Sequence, residues 1–143
     1  MYLTDDIKIT IVQAPLADGQ TDPNSTSVDM TGFDGVMFIG TLGTVTATGT
    51  VTLAAESSSD NAAADPFAAM SGATASATAA DSDLLLIVDI QNPLERYVRT
   101  ALTRAVANTV YGGTIAIQYT AHNKPCVTAT ANLAAAIVQV IGV

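Results

Sequence analysis

The feature that most constrains this chain is a period of two. Threonines 44, 46, 48, 50 and 52 alternate with Val45, Ala47, Gly49, Val51 and Leu53. An extended strand sends successive side chains to opposite faces, whereas a helix would scatter these residues around its axis. Thr44 to Ala55 therefore reads as a strand whose threonine side is wet or lies at an interface, with Gly49 marking a bulge or bend. Elsewhere, short runs rich in Val, Ile, Thr and Tyr recur between clusters of Gly, Pro, Asn and Asp, and helical spacing is scarce.

The same pattern organises the rest of the chain. Asp5 to Ala14 alternates, with Ile7, Ile9 and Ile11 on one face and Lys8, Thr10 and Val12 on the other, as in a half-buried strand. Pro15 and the polar stretch Asp18 to Ser25 break the ladder, and Thr26 to Thr31 forms a short strand. The run Val36 to Leu42 is apolar enough to be a central strand covered on both faces. Glu56 to Asp83 is rich in Ala, Ser and Asp and reads as a long surface excursion, pinned by Phe67 and Met70. One helical turn is expected in it, capped by Asp65 with Pro66 at the first helical position. Leu84 to Ile90 is a buried strand, Asn92-Pro93 a turn and Glu95 to Val106 a long strand. Asn108 to Gly113 closes a hairpin onto Thr114 to Ala121, where Ile115, Ile117 and Tyr119 oppose Ala116, Gln118 and Thr120. About eight strands without helical crossovers predict an all-β fold, an antiparallel jelly roll or β-sandwich. The 143 residues make a single domain with its core in residues 5–121.

Charge and cysteine content narrow the function classes. Thirteen Asp and Glu against five Lys and Arg give a net charge of -8, which excludes a phosphate-tracking nucleic-acid binder. With 49% hydrophobic residues the chain is not of the disordered class. A lone cysteine, Cys126, forbids an intrachain disulfide, so stability comes from packing or partners. Met1 to Asp6 carries two acids and no basic region ahead of an apolar stretch, so no cleaved secretory signal is expected. Leu133 to Val143, the longest apolar run, falls short of the roughly 20 residues that a membrane helix needs. Synthesis in a reducing cytoplasm is the expectation.

Chemistry-bearing motifs are sparse. His122 is the sole histidine, and with Cys126 it supplies two ligands where zinc wants three or four. The acids of Asp18 to Asp22 and Asp81 to Asp83 do not match a calcium loop. There is no phosphate loop, nucleophile elbow or dinucleotide fingerprint. The expectation is a non-enzyme with no metal and no cofactor. Arg96, Arg99 and Arg104 lie on one strand, with Arg96 and Arg104 on one side and Arg99 on the other. They either bridge to the excess acids or grip an acidic partner surface with their guanidinium forks.

The C-terminal segment is the strongest pointer to a partner. Residues 125–143 carry no charge, and Leu133 to Val143 is uniformly apolar apart from Gln139. Left in water such a segment would aggregate, so it is expected to be buried. It would serve as the closing strand of this domain, as an arm against a neighbouring subunit, or as an Ala-rich helix capped by Asn132. Leu133, Ile137, Val138, Val140 and Ile141 would make that contact.

Several motifs together resemble one family. They are Gly32-Phe33-Asp34-Gly35-Val36-Met37-Phe38-Ile39, Gly49-Thr50-Val51-Thr52-Leu53 followed by Glu56-Ser57, Arg96-Tyr97-Val98-Arg99, and a glycine-led strand at Gly113. Across Ile7 to Ala121 the chain resembles the capsid cement, or decoration, proteins of tailed bacteriophages, especially short-tailed ones. The Ala/Ser excursion and the apolar C-terminal segment are additions to that pattern. The resemblance implies a jelly-roll virion protein, made in the bacterial host cytoplasm, that binds the outer surface of an icosahedral shell. It further implies a homo-oligomer, with a dimer favoured, that clamps adjacent major capsid protein subunits and contacts neither nucleic acid nor membrane. Two alternatives are a carbohydrate- or receptor-binding sandwich of a fibre or adhesin and a tail-tube or neck subunit. The first is disfavoured because sugar recognition leans on stacked aromatics, and this chain has no Trp, four Tyr and three Phe.

Overall fold

Nine strands account for most of the 131 residues from 2 to 132 which, with residue 134, are described by a computed structural model. In chain order they are β1 (Lys8–Gln13), β2 (Leu16–Gly19), β3 (Val28–Asp29), β4 (Phe33–Val45), β5 (Thr50–Ser58), β6 (Ala68–Thr78), β7 (Leu85–Gln91), β8 (Tyr97–Ala105) and β9 (Thr109–Ala121). Short 3-10 turns occur at Leu3–Asp5, Ala79–Asp81 and Thr130–Asn132, and there is no α-helix among the described residues. One sheet runs β1-β9-β4-β7, with β2 pairing further along β9; the other runs β3-β8-β5-β6. All pairings are antiparallel.

With β2 set aside, the chain crosses from one sheet to the other at every step except the β5–β6 hairpin. Two four-stranded sheets in this order form a jelly roll, the all-β sandwich expected from the alternation. The crossings correct two local expectations. The alternating run Thr44 to Ala55 is not one strand: Thr46 to Gly49 turns the chain out of one sheet and into the other. Gly49 N–H donates to Thr46 O at 2.8 Å, and Thr48 takes a φ of 70°. Likewise residues 106–108 carry the chain from β8 to β9 in the opposite sheet instead of closing a hairpin, with Val106 at φ 71°. The two crossings are tied together by Thr46 N–H donating to Asn108 O.

The expected surface excursion is largely strand. β6 is an edge strand that pairs with β5 from Thr50↔Thr78 to Ser57↔Ala68. Its small residues contribute little core, and the backbone ladder supplied by β5 holds it in place. No helical turn starts at Asp65. The Asp60 carboxylate instead accepts from the amides of Ala63, Ala64 and Asp65, while Asp65 accepts from the amide and hydroxyl of Ser59. A tight loop absorbs both acids. Met70 does pack against the core, as expected, and Phe67 lies under Arg99.

Between the sheets, Val36, Phe38, Leu42, Leu86 and Val88 face Val51, Leu53, Val98 and Leu102, all buried. Tyr111 is fully buried and crosses β4 at Gly40, where any Cβ would overlap its hydroxyl; that hydroxyl pairs with Thr114 Oγ1. Two strands are less covered than expected. β7 alternates exposed and buried, with Leu85 and Ile87 outward. β4 buries Val36, Phe38 and Leu42, while Met37 and Ile39 are half-buried and Thr41 is exposed. In β1 it is Val12, not Ile9 or Ile11, that enters the core.

Candidate interaction surface

The outer faces of the sandwich differ in character. On the β3-β8-β5-β6 sheet, Thr50, Thr52, Thr103 and Ser76 point outward, and Thr52 Oγ1 lies 3.2 Å from Ser76 Oγ. This is the threonine side foreseen from the alternation, and it is wet over Thr44 to Thr50. On the other sheet the cross-strand register lines up Ile11, Ile115, Ile39 and Ile87 in one row across four strands. The next row is Ile9, Ile117, Met37 and Asp89. Ile11 is 52% exposed, Ile87 48% and Leu85 56%.

Directly opposed residues share a face, so the first row is apolar across the width of the sheet and the second over three strands, up to Asp89. Such a patch is unusual on a surface that stays in water. Its end is marked by Tyr119, which lies across Gly35 so closely that a Cβ there would overlap the ring. The Tyr119 hydroxyl donates to Asp89 Oδ1 at 2.8 Å. Burial, with the hydrogen bond to Asp89 and its charge, pushes the phenol pKa up to about 12.

The three arginines do not act as a set. Arg96, just ahead of β8, forms a two-point fork on Asp29, with Nε to Oδ1 at 2.9 Å and Nη2 to Oδ2 at 2.7 Å. The guanidinium hydrogen bonds and charge hold the Asp29 carboxyl well below the usual carboxylate range. Arg99 donates from Nε to Glu56 Oε2 at 2.7 Å and stacks on Phe67 at 4.1 Å from the ring centroid. Arg104 is 3% exposed. Its Nε donates to Thr21 O, its Nη1 to Ala17 O and Thr109 O, and its Nη2 to Thr21 Oγ1. It clamps the β2–β3 connection from inside, so the expectation that it reaches a partner is corrected. Arg96 and Arg99 are engaged with the chain's own acids. Leu133, Ile137, Val138, Val140 and Ile141 lie outside the described residues.

An open cleft of about 370 Å³ lies between Met30, Phe33, Asp34, Leu94 and Arg96. Two of its charged groups are held within the chain: Arg96 by Asp29, and Asp34 by His122 Nε2 at 2.6 Å. No group of three or more His, Cys, Asp or Glu is placed to hold a metal ion, and no helix is long and apolar enough to cross a membrane, among the described residues.

The alternation of Ile115 and Ile117 with Ala116 and Gln118 defines two faces of β9, and the sequence leaves open which of them points inward. Small and polar Ala116 and Gln118 turn into the core, and Gln118 Nε2 donates to Asp29 O at 2.7 Å. No protein-family model matches this chain, and no curated protein matches it in sequence.

Proposed function

We propose that this protein is a virion structural protein that binds the outer surface of an icosahedral phage shell and clamps adjacent major capsid subunits. The observation that carries the reading is the isoleucine face: rows of branched apolar side chains on an outer sheet surface, with Ile11, Ile87 and Leu85 about half exposed. A surface of that chemistry suits burial against another protein. The jelly-roll order and the motifs that resemble decoration proteins support the same reading, the fold by analogy only. The arginine forks close on the chain's own acids, so attachment rests on apolar burial rather than on ion pairs.

Binding only the assembled lattice stabilises it by mass action, since any ligand that prefers the assembled state shifts the equilibrium toward it. Engagement of several sites on one shell adds effective concentration. The deciding experiment is electron microscopy of purified shells mixed with the protein. Density repeated over the whole lattice is the expected result. Density at a single vertex indicates a neck or tail subunit; no density, with specific binding on a glycan array, indicates a receptor-binding sandwich.

A further inference from the structure

We propose that two copies of this chain pair edge to edge through β7, antiparallel across a two-fold axis at Ile87. The inference goes beyond the decoration reading, because it assigns a second copy of the chain to a strand edge which that reading does not use.

Among the described residues, three of the four sheet edges are protected. On β1, Ile9 N–H donates to Thr128 Oγ1 at 3.1 Å and Ile11 N–H to Asn132 Oδ1 at 2.9 Å. β3 is two residues long, and the chain ahead of it follows β8, with Ser25 N–H donating to Thr100 O and Leu102 N–H to Pro23 O. β6 is interrupted by a bulge: Ala54 pairs with Thr74 and Glu56 with Ala69, and Gly72 takes a φ of 76°. Short strands, bulges and covering segments keep edges from pairing. β7 has none of these. It pairs with β4 in unbroken register from Gly35↔Gln91 to Thr41↔Leu85, contains no Pro, Gly or Lys, and has a neighbouring strand on one side only among the described residues. Leu84, Leu85 and Ile87 at this edge are about half exposed. A flat, apolar edge of that kind is a template for a further strand.

The strand is complementary to itself. With Ile87 set opposite its own counterpart, Leu86 meets Val88, Leu85 meets Asp89 and Leu84 meets Ile90 of the second copy. The one charged residue of β7, Asp89, is thereby kept from its twin, and it already accepts from the Tyr119 hydroxyl. In this register the row Ile11, Ile115, Ile39 and Ile87 runs on into the same four residues of the second copy, as one continuous isoleucine row. β6 lies beside β7 and carries no charge from Ala68 to Thr78, so the second layers approach without like charges meeting. Self-complementary register and the absence of opposed charges select a second copy over a foreign strand. A face of doubled width also suits a clamp that touches two adjacent shell subunits.

The test uses the full chain in a Cys126→Ser background, oxidised at high micromolar concentration. Ile87→Cys should form an interchain disulfide, because directly opposed Cβ atoms in such a pair stand about 5 Å apart. Leu85→Cys should form none by itself, since its counterpart lies about 14 Å away along the seam, yet it should form a mixed disulfide with Asp89→Cys chains. No interchain disulfide in Ile87→Cys, or equal yields from Ile87→Cys and Leu85→Cys, overturns the proposal. Sedimentation equilibrium at the same concentration should give a dimer mass for the wild type. Ile87→Lys sets two like charges against each other at the axis and should weaken association at least about tenfold with the strand signal retained. A monomeric wild type, or a dimer unmoved by Ile87→Lys, also overturns the seam; if the lysine variant does not fold, the disulfide series decides alone. Shells are absent from both measurements, so the seam and the attachment reading fail separately.

Discussion

At the scale of single residues, the three arginines are engaged within the chain itself. Arg104 is the clearest case, a buried guanidinium whose donors are taken by three carbonyls and a hydroxyl of residues 17–21 and 109. A fork of that shape has no equivalent in lysine. Arg104→Met should cost about 3 kcal/mol in urea unfolding, because the carbonyls left behind are buried without donors. Arg104→Lys should recover less than about half of that loss. Arg96 behaves differently, because its pair with Asp29 is about half exposed. Arg96→Ala should lower stability only slightly at pH 7, because solvent screens an exposed pair. The lowered folded-state pKa of Asp29 sets the sign: the pair stabilises at pH above the ordinary carboxylate value of about 3.9, and that contribution fades as pH falls through the depressed value. Unfolding curves of wild type and Arg96→Ala should therefore stay separated down to about pH 4 and converge only in stronger acid.

At the scale of elements, each strand of the β1-β9-β4-β7 sheet has two apolar phases with different work to do. Phe38 of β4 is fully buried between the sheets, so Phe38→Ala should destabilise by about 3–5 kcal/mol. Its neighbour Ile39 sits in the outward row with Ile115 and Ile87. Ile39→Ser with Ile87→Ser should cost no more than about 2 kcal/mol in the same unfolding assay. The pair should nonetheless weaken shell binding at least about tenfold in a sedimentation assay. Binding unchanged by both substitutions would remove the isoleucine face from the attachment surface. Strand alternation was legible here, as in Ile115 and Ile117 against Ala116 and Gln118. Which phase faces inward was not, because that is decided by the opposite sheet, whose Met30 and Asp29 receive the Gln118 side chain.

At the scale of the whole molecule, a chain of net charge -8 ties an Arg or Lys to an acid at Arg96, Arg99 and Lys124 and carries a wide, largely apolar sheet face. Exposed charge interactions are screened over about 10 Å at 0.1 M salt, whereas apolar burial is not. Shell affinity is therefore expected to change by less than about threefold between roughly 50 and 500 mM sodium chloride, measured by co-sedimentation. A steep loss over that range would return the arginine forks to the contact. The acidic excess also gives free subunits a mutual repulsion, which opposes self-association through the isoleucine face.

The alternation of Val, Ile and Thr with small and polar residues was enough to determine an all-β sandwich of short antiparallel strands, because period two is a property of the local backbone. It was also enough to put the Thr44 to Thr50 side in water. Tertiary structure alone decided the rest. Whether Gly49 bends one strand or ends it, whether Asn108 closes a hairpin or crosses sheets, and whether Ala68–Thr78 is loop or edge strand depend on which partner offers a ladder. Whether Arg104 meets a partner or locks a loop depends on residues more than 80 positions away in sequence. Local pattern sets how side chains are distributed about a strand; only the packing of one sheet on another sets which side loses its water.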